Sequence, residues 1–139
     1  MHLLSPTIMV KEYAQLLAYV VHADGKIDSE EWVEFVTDMA TLNPNVSPEF
    51  LKKMLVSPRD LDDLLESSDL PTLRTAVRDG YYLAHVDGNV DVAEEEIIMR
   101  ITKAAGMSDE DLEKIKEWVY QGDKWVKLGL ELVTDSRHC

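Results

Sequence analysis

Cysteine is almost absent: Cys139 is the only one, so no disulfide can close within the chain and a reducing, cytoplasmic setting is expected. Basic residues are scarce too, with 14 Lys and Arg against 27 Asp and Glu and a net charge of -13. Nucleic-acid affinity rests on Lys and Arg displacing counterions, so a nucleic-acid partner is not expected, and a cationic, metal or protein partner fits better. No apolar run approaches the roughly 20 residues needed to span a bilayer, so membrane insertion is not expected. The opening "MHLLSPTIMVKEYAQLLAYVV" lacks a basic leader and is interrupted by Ser5, Pro6, Lys11, Glu12 and Gln15. It therefore reads as a core helix and not as a signal peptide. Runs of alternating strand residues, hairpin turns and a phosphate-cradling glycine loop are also missing, which removes β architectures and nucleotide loops.

What is present is helical periodicity throughout, and 139 residues suffice for one all-α domain with a real core. A first helix is expected over residues 6–23, with Ile8, Tyr13, Leu16, Leu17, Val20 and Val21 as its apolar face and Gly25 at its end. A second, over residues 29–41, turns Trp32, Val33, Phe35, Val36, Met39 and Ala40 inward and stops at "NPN". Ser-Pro starts announce two short helices, "SPEFLKKML" from Ser47 and "SPRDLDDLLES" from Ser57. A helix over residues 70–86 carries Leu73, Val77, Tyr81, Leu83 and Ala84. After it come "VAEEEIIMRITKAAG", closed by Gly106, and "SDEDLEKIKEWVYQG", capped by Ser108 and ended by Gly122. A last helix over residues 123–134 uses Trp125, Val126, Leu128 and Leu132, and residues 135–139 form a frayed tail. Trp118, Tyr120 and Trp125, at helical spacing, are expected in the core. The sum is seven or eight helices.

A seven-residue phrase occurs twice, "HADGKID" and "HVDGNVD". Aligning Tyr19 with Tyr82 superposes His22 on His85, Asp24 on Asp87, Gly25 on Gly88 and Asp28 on Asp91 without a gap. Each copy ends one amphipathic segment and opens another, so the chain reads as two duplicated helical hairpins, about residues 8–42 and 70–106. Turn chemistry accounts for part of the phrase. Glycine takes the positive-φ position that stops a helix, and the second Asp caps the next one. Asp28 with Glu31, and Asp91 with Glu94, have capping-box spacing.

His22, His85, Asp24 and Asp87 are left over. An Asp at a helix C-terminus opposes the macrodipole, and here it adds to a second carboxylate and a Glu. A divalent cation would compensate: calcium suits carboxylate oxygens, and added His widens the choice to manganese or zinc. The candidate ligands are Asp24, Asp28, Glu31 and His22 in one loop, and Asp87, Asp91, Glu94, Glu95 and His85 in the other. Lys26 could neutralise the first loop, whereas Asn89 stands in its place in the second, which makes the second the stronger candidate. The back half of a calcium-binding EF-hand loop is matched, but its first and third ligand positions hold Val20 and His22, or Leu83 and His85, so an ordinary EF-hand is not expected. Neither a nucleophile turn nor an H-E-x-x-H helix is present, and no catalysis is expected.

"ADGKIDSEE", "VDGNVDVAEEE" and "ITKAAGMSDEDLEKI" resemble the TerB-like family, the bacterial tellurite-resistance proteins and their relatives, over about residues 8–134. The resemblance implies an all-α fold of two pseudo-repeated units, a link to tellurite and other chemical stress, and divalent metal at the Asp-Gly turns. Two functions stay open: a non-catalytic stress module that binds a cation, and a metal-independent protein-interaction scaffold whose acidic loops are only helix caps.

Overall fold

Helical spacing of apolar residues is realised in the computed structural model as five α-helices among the described residues, which are 7–23, 47, 49, 53, 59–86 and 90–134. They are α1 (Val10–Val21), α2 (Leu61–Ser67), α3 (Leu70–Val86), α4 (Val92–Ala104) and α5 (Asp109–Thr134). The expected helix over residues 29–41, most of the one from Ser47, and the turn glycines Gly25 and Gly88 lie outside the described residues, while Glu49 and Lys53 of the helix from Ser47 are helical.

Helix α3 is the centre, packed against α1, α4 and α5, while α1 also meets α2 and α4. Tyr13, Leu16, Leu17 and Val20 of α1 and Leu73, Val77, Tyr81, Leu83 and Ala84 of α3 are buried together, as the periodicity predicts. Ile98 and Ile101 of α4 and Leu112 and Val119 of α5 close the core from the other side. Helices α1 and α3 cross closely at Gly80, where an added Cβ would lie 3.2 Å from Val20 Cγ2.

A carboxylate is buried at this crossing. Asp79 is fully buried; the Tyr13 hydroxyl donates to its Oδ2 at 2.6 Å and Arg78 Nε donates to its Oδ1 at 2.7 Å. Burial first, and then the Asp79 charge, raise the Tyr13 phenol far above its ordinary range, so it stays a donor. The Arg78 guanidinium in turn lies 5.8 Å from the Trp118 ring centroid, a cation–π contact onto α5. One residue pair thus links three helices.

Helix ends follow their local chemistry. Asp69 accepts from the Thr72 backbone N–H at 2.9 Å at the start of α3, and its hydrogen bonds to Thr72 hold its carboxyl below the ordinary range. Helix α4 ends in a Schellman turn: Gly106 has φ 67°, Met107 N–H donates to Thr102 O, and Arg74 Nε reaches Ala105 O at 3.2 Å. Ser108 and Asp111 cap α5 reciprocally, and the bonds to Ser108 lower the Asp111 carboxyl.

Three expectations need correction. The first helix begins at Val10, not at residue 6, because Met9 is still extended and its N–H is spent on Thr72 Oγ1 at 2.8 Å. The short helix expected from Ser57 begins at Leu61, since Asp60 is non-helical. Gly122 does not end a helix: α5 runs unbroken for 26 residues, about 39 Å at 1.5 Å per residue. Glycine is only a permissive stop, and of the described glycines Gly106 alone has a positive φ.

Two outcomes follow. Tyr13→Phe leaves the Asp79 Oδ2 without its donor and should cost about 1–3 kcal/mol in urea denaturation. Gly122→Ala should stabilise by roughly 0.5–1 kcal/mol, because nothing lies within 4 Å of the added Cβ; a loss of stability would show that Gly122 is not helical.

Candidate functional site

The second Asp-Gly turn leaves the end of α3, and its described residues are distributed by what they touch. His85, in the last turn of α3, sends Nε2 to the Asp123 carboxylate of α5. Its ring stacks on Tyr81 at 6.3 Å between centroids and meets Tyr120 edge-on at 5.1 Å. Burial, followed by the hydrogen bond with the Tyr120 hydroxyl at 3.2 Å, raises the Tyr81 phenol.

Asp91 is the N-cap of α4, accepting from Glu94 N–H at 2.7 Å, while the Glu94 side chain accepts from Asp91 N–H at 3.2 Å. This is the reciprocal box that the spacing predicts. Glu95 turns the other way, to Lys116 Nζ of α5 at 3.6 Å. Lys116 also pairs with Glu113 at 3.4 Å and sits 5.8 Å from the Tyr81 centroid. The cation that Asn89 denies this turn locally is therefore supplied by another helix. His22 closes α1, its backbone N–H donating to Ala18 O at 2.9 Å, with both ring nitrogens buried. Asp24, Asp28, Glu31 and Asp87 lie outside the described residues. Among the described residues no group of three or more His, Cys, Asp or Glu side chains is gathered closely enough to hold a metal ion.

His85 stands between two recesses. On one side Tyr81, Glu95, Glu113, Lys116 and Tyr120 line a polar hollow of ≈ 520 Å³. On the other, Tyr82, Trp118, Asp123, Trp125 and Val126 line an open, mostly apolar groove of ≈ 580 Å³. Trp118 and Tyr120 are each 44% exposed and Trp125 is 72% exposed, so these aromatics are surface residues and not the core residues expected. The reason is the length of α5: its N-terminal part packs on the body, and its continuation carries the later aromatics past the other described helices.

Lys116, Tyr120 and Asp123 escape the sequence reading. Their spacing of four and three places them on one helical face. That signal becomes usable only once the helix is known to run through Gly122. Truncating His85 to Ala should cost about 1 kcal/mol in urea denaturation, chiefly from lost packing against the two tyrosine rings. Asp123→Asn should cost less, because the Asp123 side chain is 46% exposed and solvent screens its charge.

Among known proteins, the structure of a tellurite resistance protein from Nostoc punctiforme is similar, with a TM-score of 0.68 over 90% of this chain and 79% of that one, at 16% sequence identity. No family model and no curated protein matches the chain. Within the described residues no helix is long and apolar enough to cross a membrane. What the likeness carries is the architecture: the chain has a TerB-like all-α fold.

Proposed function

We propose that this chain is a non-catalytic, cytoplasmic TerB-like module of a tellurite or chemical-stress response, and that it works by holding a protein partner at the end of the bundle where α3, α4 and α5 meet. The observation that carries this reading is the satisfied state of the turn's described side chains: Asp91 is engaged in the capping box, Glu95 by Lys116 and His85 by Asp123. Groups already paired in this way build a rigid surface, and the mostly apolar groove beside them offers contact area with a few fixed polar groups. Among the described residues the groove is lined by no Ser, Thr or Cys that could act as a nucleophile. The tellurite link rests on the structural neighbour, a tellurite resistance protein, together with the shared fold.

A second reading, a divalent cation at the second Asp-Gly turn, is favoured by one feature. A histidine held on one ring nitrogen by a carboxylate is the usual arrangement of a metal-ligating imidazole. In this reading Asp87, Asp91, Glu94, Glu95 and His85 supply ligands, and Asp24, Asp28, Glu31 and His22 form the equivalent set in the first turn.

The two readings separate on one titration. Calcium, manganese and zinc, each added to chelator-treated protein, should leave the melting temperature unchanged if the turn only caps. A metal bound at 100 times its Kd would add about 2.7 kcal/mol, and Asp87→Asn should then remove the gain. Asp91→Ala should cost about 1 kcal/mol with no metal present, through loss of the cap.

A further inference from the structure

The two halves of α5 are built differently. The first carries Leu112 and Val119 into the core, whereas every residue from 124 to 134 is exposed. Trp125, Val126, Leu128, Leu130, Leu132 and Val133 are between 51% and 80% exposed. They run round most of the helix, and Lys124, Lys127 and Glu131, at steps of three and four, form its polar stripe. A helix apolar over so much of its circumference is normally a buried one.

The joint between the halves has the chemistry of a helix end. Gly122 followed by Asp123 is a stop followed by a cap, and the chain uses that order once already: Gly106, at φ 67°, ends α4, and Ser108 caps the next helix. At the joint both signals are spent otherwise. Gly122 lies inside the helix, although glycine is among the poorest helix formers, and the Asp123 carboxylate is turned to His85. Both residues line the apolar groove with Tyr82 and Trp118. A break at the joint makes a connection of two or three residues, short enough for a helical hairpin. Residues 124–134 then form a helix of about 16 Å at 1.5 Å per residue.

We propose that residues 124–134 are a strap that closes the groove: α5 breaks at Gly122, Asp123 leaves His85 to cap a separate distal helix, and that helix folds back over Tyr82 and Trp118. The inference rests on the groove being the partner surface. Strap and partner then compete for the same apolar side chains, and the unbroken helix is the receptive state.

Nitroxide distances in the full chain test it, with Cys139→Ser removing the native thiol and labels attached at Glu110→Cys and Glu131→Cys, both exposed positions. Along an unbroken helix these positions are about 32 Å apart. Folded back they fall below about 20 Å, since packed helices lie about 8–10 Å from each other. The wild-type chain should show both distances. Gly122→Ala should leave only the long one, because alanine favours continuous helix. Lys124→Pro should leave only the short one, because proline suits the first helical position after a cap and drives Asp123 out of the helical region. Trp118→Ala should reduce the short population several-fold. A single long distance in the wild-type chain would overturn the strap and leave the groove reading standing, and a short population indifferent to Trp118→Ala would overturn the contact with the groove. Nile red, a neutral apolar dye, reads the groove separately: Gly122→Ala should bind it several-fold more than Lys124→Pro. No dye bound by Gly122→Ala, with the strap held away, would overturn the groove as a contact surface and the strap's role with it.

Discussion

A buried carboxylate on α3 organises this molecule. Asp79 is fully buried at the point where Gly80 lets α1 approach closely, and it is held by Tyr13 from α1 and by its own neighbour Arg78. An unpaired charge at that depth would be strongly destabilising, so the rotation of α1 against α3 is limited to orientations that keep the phenol on the carboxylate. Apolar packing tolerates a range of helix orientations, whereas a hydrogen bond of 2.6 Å does not. Because Arg78 also reaches Trp118, the same constraint orients α5. Everything at the far end of α3, His85 included, inherits its position from this crossing.

Position in turn decides what the second Asp-Gly turn can do. A stretch as acidic as residues 91–96 would repel itself in isolation, and the loop before it has Asn89 where the first copy has Lys26. Compensation comes across the bundle: Lys116 lies against Glu95 and Glu113, and Asp123 against His85. The balance matters for function, since carboxylates committed to caps and ion pairs form a fixed surface more readily than an open cation site. It also explains why the aromatic groove is next to the turn, because the helix that supplies Lys116 and Asp123 brings Trp118 and Trp125 with it.

The legible parts of the fold were those in which a side chain does one local job. The apolar faces of α1 and α3, the capping box of Asp91 and Glu94, the Gly106 stop and the Ser108 cap all depend on residues within a few positions of one another. Gly122 shows the limit of such signals. A glycine followed by Asp has the composition of a helix end, but the backbone stays helical because the turns on either side are both good helix and the residue needs no special φ. Misplacing that one boundary hid the Lys116–Tyr120–Asp123 face. It also made Trp125, Leu128 and Leu132 look like the inner face of a separate helix.

By itself, then, the sequence determined the all-α class, the core stripes, the helix caps and the duplicated Asp-Gly phrase, because periodicity and capping are properties of neighbours along the chain. Only the tertiary structure decided that His85 pairs with Asp123, that Glu95 is neutralised by Lys116 and that the tryptophans of α5 face outward. Those outcomes depend on where a long helix crosses the bundle and where it leaves it. No local pattern carries that information, since the crossing is set by contacts such as Tyr13 with Asp79 between residues far apart in the chain.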